Sequence, residues 1–231
     1  MLLFDPAYFL ILAPGLLLAA WAQMKVKSAF AKASRVAARS GMTGAEAAHR
    51  ILDANGLHNV GVEPVRGFLG DHYDPRHKVL RLSPDVYHGR SLAAVGVAAH
   101  EAGHAIQDGV GYAPLALRNG IVPMASVGSN LALITFFAGW IMGWGGLQIA
   151  AIVLFSAVVL FQLVNLPVEL NASSRARAVL VNSGIIAPNE ERGVGKVLNA
   201  AALTYVAATV TAILTLVYFL MQAGLLGGRD E

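Results

Sequence analysis

Residues 147–166 read LQIAAIVLFSAVVLFQLVNL, a run of twenty positions with no charged side chain. A helix needs about 20 apolar residues to cross the hydrocarbon core of a bilayer, so this run is read as a membrane span. Just before it, Gly143-Trp144-Gly145-Gly146 separates a second apolar run, Val127–Trp144, which makes the pair a helical hairpin with Trp140 and Trp144 near an interface. Two further runs, Leu2–Trp21 and about Ala200–Leu226, bring the expected spans to four. The whole composition agrees: 56% of residues are hydrophobic and 13% charged, with a mean hydropathy of +0.58. A water-soluble core of this size does not need so much apolar side chain.

The first run could be a cleaved signal peptide, since Ala20-Trp21-Ala22 has the small-x-small pattern of a cleavage site. A signal peptide, however, carries positive charge before its apolar core. Here Asp5 precedes, and Lys25, Lys27, Lys32, Arg35 and Arg39 follow, so an uncleaved anchor is favoured. The expected organisation is span one at 1–22, a polar segment at 23–126, a two-span hairpin at 127–166, a second polar segment at 167–199, span four at 200–226 and a short tail at 227–231. Sixteen of the 17 Lys and Arg residues fall in the two polar segments. With four spans both segments share one side, which the positive-inside rule makes cytoplasmic. The net charge of +3 serves this orientation; no nucleic-acid motif accompanies it, and nucleic acid is excluded as a partner. Cysteine is absent, so any metal site must be built from histidines and carboxylates.

Within the larger polar segment, Thr43-Gly44-Ala45-Glu46 has capping-box spacing and opens a helix to about Asp53. Val60–Arg66 and Lys78–Leu82 read as short strands, separated by the turn-rich Gly70-Asp71-His72-Tyr73-Asp74-Pro75. Lys78–Leu82 could accept an extended peptide as an added strand, or be an ordinary hairpin strand. Arg90–Gln107 reads as a helix. The expected fold is a mainly α membrane protein: four transmembrane helices with a small α+β domain.

That last helix carries His100-Glu101-Ala102-Gly103-His104. Histidines at i and i+4 project from one helix face toward a common metal, and Glu101 beside them can take a proton from a zinc-activated water. Gly103 costs about 1 kcal/mol relative to alanine in a helix, which is easier to explain if something approaches the backbone there. A catalytic zinc needs a third protein ligand and an open position. Val110 stands where a metzincin would have its last histidine, so a carboxylate must serve. Asp108 is displaced along the same helix axis, and Glu190 and Glu191 fall in a loop after Pro188. Glu169 remains: Pro167 opens a helix through about Val181, and the hairpin returns the chain to the membrane face it left near Ser126. An N-terminal helix carboxylate that complements the macrodipole is the plainer explanation of Glu169.

Several blocks together carry a family resemblance: Thr43-Gly44-Ala45-Glu46-Ala47-Ala48, Asp71-His72-Tyr73-Asp74-Pro75, Val97 through Gln107, Leu166-Pro167-Val168-Glu169 with Asn171-Ala172-Ser173, and Ala201 through Ala208. The chain resembles the bacterial YugP-like neutral zinc metallopeptidases along nearly its whole length. The resemblance implies a membrane-embedded gluzincin-type peptidase whose small α+β domain is a zincin-like catalytic domain carrying the HExxH helix, with Zn2+ on His100, His104 and Glu169, and Glu101 as general base. Ser174 departs from the arginine expected after the glutamate, which leaves any role of Arg175 or Arg177 open. His72, Tyr73, Arg175, Arg177 and Tyr205 are the candidates for stabilising an oxyanion. The expected partners are a protein or peptide substrate and the lipid bilayer, with a membrane-protein partner or a second copy also open. Two other classes compete: an intramembrane protease, and a non-catalytic scaffold that binds zinc for structure.

Overall fold

The computed structural model describes residues 6–66 and 70–226; Asp5 and the tail with Arg229, which enter the charge argument, lie outside them. The elements in order are α1 (Pro6–Ala33), α2 (Gly44–Ala54), β1 (Gly61–Pro64), β2 (His72–Asp74), β3 (Val79–Leu82), α3 (Pro84–Tyr87), α4 (Leu92–Gly109), α5 (Ala113–Ile141), α6 (Gly145–Asn182) and α7 (Glu191–Gln222). Four of them, α1, α5, α6 and α7, are long and apolar enough to cross a membrane. The chain divides into two compact units, one from residues up to Trp21, Ala116–Pro167 and Thr204 onward, the other from Ala22–Leu115 and Val168–Leu203.

The first unit is built from apolar helix. Phe136 stacks on Phe219 with ring centroids 4.0 Å apart, and Leu12, Ala132, Ala151 and Tyr218 are buried in the same cluster. Its outward faces are also apolar: Leu10, Leu17, Ile134, Ile141 and Val153 are all at least 66% exposed. A soluble surface does not present that much aliphatic side chain, whereas a lipid-facing one must. Four hydroxyl side chains in these helices are satisfied locally, which suits a medium without water. Ser156, Thr209, Thr211 and Thr215 each donate to the carbonyl four residues back, at 2.8 Å.

The second unit is a small α+β assembly around α4. The capping box that opens α2 is formed: Thr43 N–H donates to Glu46 at 2.7 Å, and Glu46 N–H donates to the Thr43 hydroxyl at 3.1 Å. Gly44 allows this helix start to pack closely, because a Cβ there would stand 2.2 Å from the Val86 carbonyl oxygen. The sheet has the order β1-β3-β2, with β1 parallel and β2 antiparallel to β3. Asp71 fixes the end of β3 by accepting from Ser83 N–H at 2.7 Å. Leu80 and Leu82 point into the core with Ile51, Leu52, Val95 and Ala98, while Arg81 on the other sheet face pairs with Glu63 and Asp74.

Two expectations need correction. Lys78–Leu82 is the region of the central strand, with β1 on one side and β2 on the other, so it has no edge to offer a peptide. Pro167 does not begin a helix but lies inside α6, which runs 38 residues without a break. At 1.5 Å per residue α6 is about 57 Å long, far more than the roughly 30 Å of a hydrocarbon core. The same helix that forms span three therefore also carries Glu169.

Candidate metal centre

Helix α4 starts at Ser91, whose hydroxyl accepts the Ala94 N–H at 3.2 Å, and it is buried over most of its length. Gly103 explains how closely α6 can approach, since a Cβ there would stand 2.8 Å from the Ala172 carbonyl oxygen. This close crossing brings the α6 face of Glu169 and Ser173 against the α4 face of His100 and His104. Glu169 Oε2 lies 3.2 Å from His100 Nε2 and 3.6 Å from His104 Nε2. One donor atom from each of the three residues lies within 4.8 Å of the others, and the group could hold a metal ion. Their side chains are 13%, 10% and 3% exposed, in the order His100, His104, Glu169.

The remaining imidazole nitrogens are also engaged. His100 Nδ1 is 3.2 Å from the Ser173 hydroxyl. His104 Nδ1 is 3.0 Å from Gln107 Oε1. The Gln107 carboxamide is held in that sense by donating from Nε2 to the Val168 carbonyl at 2.8 Å and to Asn171 Oδ1 at 3.0 Å. With its acceptor end toward His104, Gln107 requires a proton on Nδ1, which makes Nε2 the ring atom available to a metal. Burial pushes the His104 imidazole down, but the neighbouring carboxylates of Glu169 and Glu101 outweigh it and lift it above its ordinary value. The pocket therefore favours positive charge on its imidazole face.

Glu101 is 8% exposed and lies beside the group. Its Oε2 accepts the backbone N–H of Tyr73 on β2 at 3.1 Å, and among the described residues Oε1 makes no hydrogen bond.

The other carboxylates that could have completed the ligand set are committed elsewhere. Asp108 accepts from Tyr73 Oη and Lys78 Nζ; Glu190 accepts from the Arg39 and Ala187 N–H groups; Glu191 pairs with Arg177 at 2.5 Å. Most of the oxyanion candidates are committed as well. His72 is exposed, on the sheet face away from Tyr73, with Nδ1 2.7 Å from the Gly70 carbonyl. Arg175 donates from Nε to Asn171, and the Tyr73 hydroxyl is used on Asp108. Tyr205 belongs to the other unit. Sequence reasoning assigned no role to Gln107, Ser173 or the Tyr73 N–H. The spacing signal was there for two of them: Gln107 is one turn beyond His104, and Ser173 is one turn beyond Glu169.

Comparison with known proteins agrees with this geometry. A family model described as "putative neutral zinc metallopeptidase" matches residues 8–224. The chain is 55% identical over 211 residues to "Putative membrane protease YugP" of Bacillus subtilis (strain 168), covering 91% of this chain and 93% of that protein. No solved structure matches. A match along nearly the whole chain, together with a His/His/Glu group able to hold a metal, places the protein: it belongs to the family of putative neutral zinc metallopeptidases.

Proposed function

We propose that the chain is a membrane-embedded zinc endopeptidase of the HExxH, gluzincin type, with its site on the cytoplasmic side of a bacterial inner membrane. The observation that carries this reading is the convergence of two Nε2 atoms and one carboxylate oxygen, with both Nδ1 atoms occupied by fixed partners. Two neutral imidazoles and one carboxylate, with no thiolate, make a donor set suited to a catalytic zinc that keeps an open position. When bound, zinc supplies Lewis acidity, activating water and polarising a peptide carbonyl.

The chain's own residues supply the rest. Glu101 holds one carboxylate oxygen on the Tyr73 N–H and keeps Oε1 to take the proton of the attacking water and pass it to the leaving amine. Strand β2 is an edge of the sheet. The N–H and C=O of one strand residue point to the same side, so the Tyr73 carbonyl also faces the Glu101 side and can receive an N–H of an extended peptide. Burial of the histidines and Glu169 limits water access to the cluster and strengthens its electrostatics. The cytoplasmic placement rests on the sixteen basic residues in the two polar segments. The test is cleavage of an unstructured peptide by the purified, detergent-solubilised chain. Chelation should abolish cleavage and added zinc should restore it; cleavage that survives complete removal of metal contradicts the reading.

A further inference from the structure

Asp108 is seven residues beyond Glu101 on α4, which at 100° per residue returns it to the same helix face two turns away. Tyr73 lies along that face. Its backbone N–H reaches Glu101 Oε2 at 3.1 Å while its hydroxyl donates to Asp108 Oδ2 at 2.7 Å. Lys78, at the far end of the turn between β2 and β3, places Nζ 2.5 Å from the same oxygen. Lys78 has a φ of 53°, the one positive value among the described non-glycine residues. A left-handed backbone at a residue with a long side chain persists only where its surroundings hold it, and here the ammonium ends on Asp108. One carboxylate therefore receives a donor from each side of the β2–β3 hairpin.

Resting on the peptidase reading above, we infer that Asp108 is a positioning residue: it clamps the β2–β3 hairpin to α4 so that the Tyr73 N–H holds Glu101 in the orientation its proton transfer needs. The charge states suit a permanent clamp. Burial pushes the Asp108 carboxyl up, but the hydrogen bonds from Lys78 and Tyr73 outweigh it and hold the group below its ordinary value. Burial and the bond to Asp108 push the Tyr73 phenol up, so it remains a proton donor throughout the neutral range. Asp108 touches neither the metal-ligand group nor a reacting atom; its action on Glu101 passes through strand β2. This also gives the Asp71-His72-Tyr73-Asp74-Pro75 block a purpose: Asp71 pins the end of β3, Tyr73 carries the link, and Asp74 shapes the turn by accepting the Arg76 and His77 N–H groups.

The test compares the full-length wild type with Asp108→Ala, Asp108→Asn and Tyr73→Phe, purified in detergent. Its first readout needs no metal: amide exchange of residues 72–74 in chelated protein. Asp108→Ala should speed it by about tenfold or more, whereas Asp108→Asn, which keeps an acceptor for the phenol, should recover most of the protection. In the zinc-loaded protein, kcat in Asp108→Ala should fall roughly 10- to 100-fold, the scale of a small displacement of a catalytic group. KM and zinc affinity should stay within about threefold of wild type, since Asp108 binds neither substrate nor metal. Unchanged exchange at 72–74 overturns the inference, as does a wild-type kcat in Asp108→Ala or loss of its zinc. If Asp108→Ala does not fold, Tyr73→Phe decides, because it removes only the hydroxyl and keeps the backbone N–H. A wild type without peptidase activity defeats the proposed function, while the exchange measurement still decides whether the clamp exists.

Discussion

Gln107→Leu swaps a fully buried carboxamide for an apolar side chain of similar size and tests how the His104 tautomer is fixed. Three hydrogen bonds disappear, but their former partners are affected unequally. The Asn171 Oδ1 keeps the Arg175 Nε donor at 2.7 Å, and the Val168 carbonyl sits inside the continuous helix α6, whose ladder still serves it. The group left without a partner is the Nδ1–H of His104. An unsatisfied buried donor costs about 1–3 kcal/mol. The ring can avoid that cost by moving its proton to Nε2, the nitrogen on the side of the Glu169 carboxylate 3.6 Å away. That tautomer removes the lone pair a metal requires. Zinc affinity should therefore fall by roughly 10- to 100-fold, the range for loss of an outer-shell partner, or about 1.4–2.7 kcal/mol. Competition against a chelator of known affinity measures it, with a thermal melt of the chelated protein to confirm folding. Zinc affinity within threefold of wild type in a folded Gln107→Leu variant refutes the assignment.

Other outcomes follow from the same geometry. Glu169→Ala should lower zinc affinity by more than the roughly 100-fold upper range of an outer-shell change, while Glu190→Ala leaves it unchanged; zinc content of the purified variants checks both. Gly103→Val puts side-chain carbon against the Ala172 carbonyl, where even a Cβ would stand at 2.8 Å. Overpacking of that kind costs about 1–3 kcal/mol, readable in a melt of the chelated protein. Cysteine placed at Asp85 should react with an impermeant thiol reagent only after cell lysis, and cysteine at Met142, beside the hairpin turn, should react in intact cells. Labelling of the Asp85 position without lysis puts the site on the outer face. The native chain has no cysteine, so the background is clean.

The parts of this structure that follow from local pattern were legible in the sequence. The four apolar helices needed only run length, the α2 start needed only Thr43 and Glu46 in capping-box spacing, and the His100/His104 pair needed only helical periodicity. The expected helix Arg90–Gln107 is α4, displaced by about a turn fraction at each end. Strand β2 was read as turn because three residues between Gly70 and Pro75 show no alternation to detect. What makes it a strand is pairing with β3 and the Glu101 carboxylate received by its edge. The continuity of α6 was also hidden. Pro167 withdraws one N–H from the Leu163 carbonyl, which is a local reason to end a helix. Apolar surroundings instead favour keeping every other backbone group in the helical ladder. Gln107 and Ser173 act across 61 and 73 residues of sequence, on Val168 and His100. Spacing alone sets each one turn from a ligand, but the cross-helix partners come from the α4–α6 crossing, which no spacing rule within one helix contains.

The central claim is that His100, His104 and Glu169 hold the metal while Glu101 moves the proton. Zinc content and peptide cleavage measured together, in wild type and in Glu101→Gln, separate the two roles most directly. Glutamine keeps the length of the side chain and an oxygen for the Tyr73 N–H, but it cannot take up the proton. The account predicts one zinc per chain in both proteins, with cleavage reduced by about 10²- to 10⁴-fold in the variant. Cleavage at the wild-type rate by Glu101→Gln, or loss of its zinc, contradicts it.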